Sequence, residues 1–141
     1  MPIFVANFAA VKRCQNPVSI AVKTPAYFTG QSFTPLAPTW SMVQSYRDGI
    51  ITDKEYTTQY YKLLLERKTD LKSIVEFFNN EVTFLCYESI GKFCHRYLLG
   101  YLIEKSLGII VQEIDAKGDK LSLPYEKIFE WFKKEHWNGL K

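Results

Sequence analysis

Within nine residues, Glu88, Gly91, Lys92, Cys94, His95 and Arg96 form the densest group of chemically capable side chains in this chain. A cysteine becomes a nucleophile as its thiolate, and a nearby positive charge or helix N-terminus favours that form. Arginine and lysine hold phosphate or carboxylate, with arginine able to bind in a two-pronged fashion. The pattern therefore points to an anionic ligand, phosphate- or nucleotide-like, held by Arg96 and Lys92. Cys94 would be the nucleophile, or a thiol whose contact orders the loop. His95, counted in the candidate catalytic group, and the helix N-terminus would help hold the anion, and Glu88 would act as base or orient Arg96. Arg47, Tyr56 and Tyr60 are candidates for the walls of the same pocket.

The spacing excludes several specific chemistries. It is not the nucleotide P-loop, which needs G-x-x-x-x-G-K-[ST]. It is not a C-x5-R phosphatase-type loop, because Arg96 lies two residues beyond Cys94. Consecutive residues on a helix project about 100° apart, so Cys94 and His95 converge only if one is still in the loop. Cys86, Cys94, His95, Cys14 and His136 lack C-x2-C or H-x3-H spacing, so no metal site is expected, and no cofactor. Each candidate also has a structural reading. Cys86 reads as a small core residue on an apolar strand. His95-Arg96 could be a solvated basic pair. Trp40, Tyr56 and Tyr60 read as core rather than as a ligand platform.

The elements that must position these residues follow from periodicity and breakers. Ile3 to Phe8 and Val18 to Val22 read as short strands, the second flanked by Pro17 and Pro25. Thr24 to Pro38 reads as a long loop. A short helix carries Trp40, Val43 and Arg47 on one side and stops at Gly49. Thr52-Asp53-Lys54-Glu55 is a capping box opening a helix with Tyr56, Tyr60, Leu63 and Leu64 on one face. Asp70 can cap another helix, closed by Asn79-Asn80. Val82 to Tyr87 is nearly continuously apolar, as in a central parallel strand. A polar loop, a helix from about Cys94 to Ser106 and a strand at Ile109 to Ile114 complete a βαβ unit with parallel strands. A last helix spans about 124–137, with Pro124 in its first turn. The expected class is α/β: one domain over 1–141, a small mostly parallel sheet flanked by helices in Rossmann-like layers. In such sheets ligands bind outside the carboxyl ends of the strands, where the segment after Cys86 lies.

Composition bounds the function. The 141 residues are 47% hydrophobic and 23% charged, a globular balance. Three cysteines are too few and too odd in number for a disulfide framework. No apolar run reaches the length of a membrane span, and Lys12-Arg13 follows rather than precedes the apolar start, unlike a signal peptide. A reducing cytoplasm is the expected compartment. The net charge is +3 and no basic run exceeds two residues, which argues against a dedicated nucleic-acid domain.

The chain also resembles a known family. Cys86-Tyr87-Glu88 and Phe93-Cys94-His95-Arg96, followed by a leucine-rich helix, are similar to the C-[FY]-E…[FY]-C-H-R signature of the domain of unknown function family numbered 488. Leu36-Ala37-Pro38 is similar to its "LAP" segment. Tyr46-Arg47-Asp48-Gly49, Ile51-Thr52 and Tyr56-Thr57-Thr58-Gln59-Tyr60 resemble its Y-[KR]-x-G-x-[IL]-[TS]…Y-T-x-x-Y stretch. The likeness runs from about Val18 to Ile114. Asn7-Phe8-Ala9-Ala10 lacks the glycine of many relatives' first loop. The resemblance implies a compact α/β domain with Glu88, Cys94, His95 and Arg96 at one end of the sheet, and no activity. Besides ligand turnover, two further functions fit the sequence. One is non-catalytic sequestering or sensing of a nucleotide-like ligand. The other is an interaction module using Trp131 and Trp137, with a partner protein or a second copy of the chain bound there.

Overall fold

The computed structural model describes residues 3–137. Met1 and Pro2, which open the apolar start, lie outside the described residues. The strands are β1 (Ile3–Asn7), β2 (Pro17–Ser19), β3 (Gln31–Ser32), β4 (Val82–Cys86), β5 (Val111–Ile114) and β6 (Lys120–Leu121). They form one sheet in the order β3-β2-β4-β1-β5-β6. All pairs are parallel except the edge pair β5–β6. The helices are α1 (Trp40–Arg47), α2 (Asp53–Glu66), α3 (Leu71–Phe77), α4 (His95–Leu107) and α5 (Glu126–His136). The protein is an α/β fold with a mostly parallel sheet and flanking helices, as the sequence predicts.

Every residue of β4 is buried, which explains its unbroken apolar run: it lies between β2 and β1. The unit β4-α4-β5 has parallel strands, but they are not neighbours. β1 sits between them, paired with β4 from Ile3–Val82 to Asn7–Cys86 and with β5 from Ile3–Val111. The structure departs from the sequence expectation at several places. β2 covers Pro17–Ser19 instead of Val18 to Val22, β5 starts at Val111 instead of Ile109, and α5 starts at Glu126 after the N-cap Tyr125, which leaves Pro124 outside its first turn. The loop before Pro38 contains β3 and a 3-10 turn (Thr34–Leu36), and the turn after Asp115 leads into β6. Each of these strands is two residues long, too short for alternation to show. The segment after β1 is a 3-10 helix (Phe8–Arg13) capped by Asn7, whose side chain accepts from the Ala9 N–H.

Local signals set the helix boundaries. The Thr52/Glu55 capping box closes with both reciprocal hydrogen bonds. Thr39 caps α1 through the Met42 N–H, and Asp70 caps α3 through the Ser73 N–H. Arg67 ends α2, and its Nη1 donates to the Pro35 and Ala37 carbonyls at 2.9 and 2.6 Å, tying the loop to the helix.

Helix α4 is buried along most of its length, from His95 to Ile103. Gly100 allows it to lie close to β5: a Cβ there would meet Leu123 Cδ1 at 2.7 Å and Val111 Cγ1 at 3.3 Å. Helix α5 packs on α2, with Phe129 and Phe132 fully buried. Phe132 meets Tyr61 edge-on at 4.8 Å, and Phe129 stacks on Tyr101 at 5.0 Å. Trp131 and Trp137 are half-buried against this cluster. Trp137 lies against Tyr61, and the Lys54 ammonium sits 4.8 Å from the Trp131 ring.

Candidate functional site

The site lies at the carboxyl end of β4, where the chain leaves the sheet at Cys86 and re-enters regular structure at α4. Cys94 is the N-cap of α4 and keeps an extended backbone (φ −158°, ψ 153°), while His95 is the first helical residue. This is the arrangement in which adjacent residues can face each other: Cys94 Sγ and His95 Nδ1 lie 3.6 Å apart. The other ring nitrogen, Nε2, is 2.7 Å from the carbonyl oxygen of Ile20, just after β2. A carbonyl only accepts, so Nε2 carries a proton. Burial pushes the His95 pKa down to about 4; the bond to Ile20 opposes this and the charge of Arg96 reinforces it.

A disulfide joins Cys86 and Cys94 across the loop, with their Cα atoms 7.8 Å apart, a pairing that the cysteine count alone did not predict. The sequence reads Cys86 as packing and Cys94 as a nucleophile or as a thiol whose contact orders the loop; the structure adds that the two are bonded to each other. Both are buried, but each faces the other. Sequence spacing hides this, because the pairing depends on how the loop 87–93 folds back. Cys14 lies elsewhere, its thiol donating to the Ala10 carbonyl at 3.1 Å. Burial pushes its pKa up to about 11, which keeps it protonated and inert.

Arg96 does not reach the cavity. It is fully buried and all its partners are internal. Nε donates to Glu113 Oε2 at 3.1 Å, and Nη2 forms an ion pair with the same oxygen at 3.0 Å. Nη1 donates to the Glu88 carbonyl at 2.8 Å and to Cys86 Sγ at 3.2 Å, and Nη2 donates to the Ser89 carbonyl at 3.1 Å. Its carboxylate partner is therefore Glu113 on β5, not Glu88. Glu113 is not singled out by the sequence; on β5 it stands beside Gln112, and its only signal is a carboxylate in a strand, which needs a cation once it is buried.

Tyr97 completes this network. Its hydroxyl accepts from Arg96 Nη2 at 2.9 Å and from the Gly91 N–H at 3.0 Å, and lies 2.8 Å from Glu113 Oε2. Burial pushes its pKa up to about 12. The Tyr125 hydroxyl donates to the Gly91 carbonyl at 2.5 Å from a left-handed backbone (φ 67°) at the start of α5. Gly91 itself has φ 83°, a conformation open to glycine. Backbone atoms of the loop are thus fixed by Arg96, Tyr97 and Tyr125.

This scaffold frames a cavity of about 770 Å³, within the usual range for small-molecule sites. Cys86, Cys94 and His95 lie on its wall beside Tyr56 and Phe93, while Lys23, Arg47 and Lys92 bring positive charge. Trp40 lines it too and is exposed, unlike the core residue expected; the Lys23 ammonium sits 4.1 Å from its ring centroid and the Arg47 guanidinium 5.8 Å. Glu88 lines the cavity and pairs with Arg47 at 3.1 Å. Tyr60, expected at the wall, stands behind it. It is fully buried, donates its hydroxyl to the Leu36 carbonyl at 2.7 Å and packs against the His95 ring. Lys23, Trp40, Tyr46 and Tyr125 line the cavity without having been singled out as wall residues. Tyr46 and Tyr125 carry no chemical signal of their own, and only the chain's path brings them there.

No family model, curated protein or solved structure matches the chain.

Proposed function

We propose that the protein binds a small anionic ligand with a planar portion, such as a nucleotide or an aromatic phosphate ester, in this cavity. The observation that carries the reading is the mixed wall: Lys23, Arg47 and Lys92 stand beside Trp40 in a cavity of ligand size at the strand ends. Aromatic faces stack planar groups, and the cations neutralise phosphate. The Arg47–Glu88 pair is no obstacle. Its side chains are 47% and 32% exposed, and such a pair is worth about 0–1 kcal/mol, so the guanidinium can turn to an anion at small cost. Arg96, Tyr97 and Glu113 serve by holding the loop rather than by touching ligand. Membership of the family numbered 488 and a cytoplasmic setting belong to the same reading.

Thermal-shift measurement of the full chain against a panel of nucleotides and phosphate esters tests it. A true ligand at one hundred times its Kd stabilises by about 2.7 kcal/mol. Arg47→Ala and Lys92→Ala are each expected to weaken that ligand about tenfold while leaving the unliganded melting temperature nearly unchanged. No shift with any panel member, or a shift indifferent to both variants, overturns the reading.

A further inference from the structure

Anion binding leaves the buried end of the cavity unexplained. Among the described residues, Cys86, Cys94 and His95 place three metal-ligating atoms within 4.8 Å of one another. All three residues line the cavity. In this structure the two sulfurs form a disulfide; once it is reduced, two thiols and an imidazole are the donor set of borderline-soft divalent metals, above all Zn²⁺.

The surroundings fit a metal in three ways. His95 gives its Nε2 proton to the Ile20 carbonyl at 2.7 Å, so Nδ1 is the nitrogen presented to the sulfurs. A backbone carbonyl on the remote nitrogen is the usual support of a ligating histidine. Arg96 Nη1 donates to Cys86 Sγ at 3.2 Å, a bond that favours a thiolate ligand. The third is the backbone spacing. Cα atoms joined by a disulfide usually lie about 4.4–6.8 Å apart, against 7.8 Å here. That backbone spacing gives the reduced sulfurs room to separate to about 3.8 Å, as two metal bonds of about 2.3 Å at a tetrahedral angle require.

We propose that Cys86, Cys94 and His95 form a binding site for a divalent transition metal of the zinc class, ligated by the two Sγ atoms and Nδ1, with the fourth position facing the cavity. The Cys86–Cys94 disulfide must first be opened by a thiol reductant, which supplies two electrons and two protons and is itself oxidised to a disulfide; metal binding to the resulting thiols then releases their protons to solvent. Three protein ligands and an open fourth position are the pattern of catalytic rather than structural zinc. The inference stands apart from the anionic ligand, since it needs only these three side chains.

The test titrates the reduced, chelator-stripped full chain with Zn²⁺ and with Co²⁺. One equivalent of Co²⁺ is expected to bind with sulfur-to-cobalt charge-transfer absorption, and one equivalent of Zn²⁺ to abolish that absorption. Cys94→Ser and His95→Asn should each lower Zn²⁺ affinity by more than about 100-fold, the upper end of what losing a supporting hydrogen bond costs. Cys14→Ser should change nothing. Circular dichroism establishes that each variant is folded, and the cobalt spectrum of the unsubstituted chain carries the test if a variant is not. Substoichiometric uptake, absence of the charge-transfer band, its loss in Cys14→Ser, or a Cys86–Cys94 disulfide that persists in the folded chain after mild reduction overturns the proposal.

Discussion

Arg96 has its side chain wholly enclosed, beside a carboxylate that is 2% exposed. Enclosure of that degree makes the two charges depend on each other. Removing one partner of a buried pair leaves an uncompensated charge and typically costs about 3–5 kcal/mol. Arg96→Ala is expected to destabilise the protein by that amount, read from the urea midpoint at constant slope. Arg96→Met combined with Glu113→Met should cost less than the sum of the two single changes, because neither charge is then stranded. A residue that reads in the sequence as a ligand-binding arginine thus becomes a positioning residue. The reason is geometric: α4 turns its second residue toward β5, where Glu113 waits. Cys94 and His95, its chain neighbours, face the cavity instead.

The loop between β4 and α4 carries the candidate site, and its order comes from other elements. Arg96 and Tyr97 belong to α4, and Tyr125 stands at the head of α5. Tyr125→Phe removes the hydroxyl that binds the Gly91 carbonyl, at an expected global cost of about 1 kcal/mol. Amide hydrogen exchange should report the local effect: Gly91 and Lys92 are expected to exchange faster, with the α4 core unchanged. Equal acceleration throughout α4 would mean that the bond supports the fold as a whole. The strands and helices themselves were largely legible. The capping box at Thr52, the caps at Thr39 and Asp70 and the apolar run of β4 are local signals, and local interactions formed those boundaries. β3 and β6 were not legible, since two-residue strands owe their existence to the edge they pair with.

In the whole molecule, α5 is part of the core rather than an appendage. Phe132 is fully buried between Tyr61 of α2 and the aromatic residues of its own helix. Phe132→Ala is expected to cost about 3–5 kcal/mol, measured by denaturant unfolding. The same packing bears on the interaction-module function, because the Trp131–Trp137 end is half-buried against the protein's own aromatic cluster. Among the described residues no helix is long and apolar enough to cross a membrane. The sheet order brings β2, β4 and β5 around a common end, so that Ile20, Cys86 and Glu113 can each hold one residue of the Cys94-His95-Arg96 run.

The sequence by itself determined the α/β class and the main elements, and it singled out segment 86–96 as the candidate site. Those properties rest on local periodicity, capping and residue type. Only the tertiary structure decided what each residue of that segment does. It set Arg96 against Glu113, joined Cys86 to Cys94, oriented His95 by the Ile20 carbonyl and opened Trp40 to the cavity. Partners such as Arg96 and Glu113 lie 17 positions apart, and His95 and Ile20 lie 75 apart. Contacts of that separation are set by strand order and helix placement, which no short window of sequence encodes.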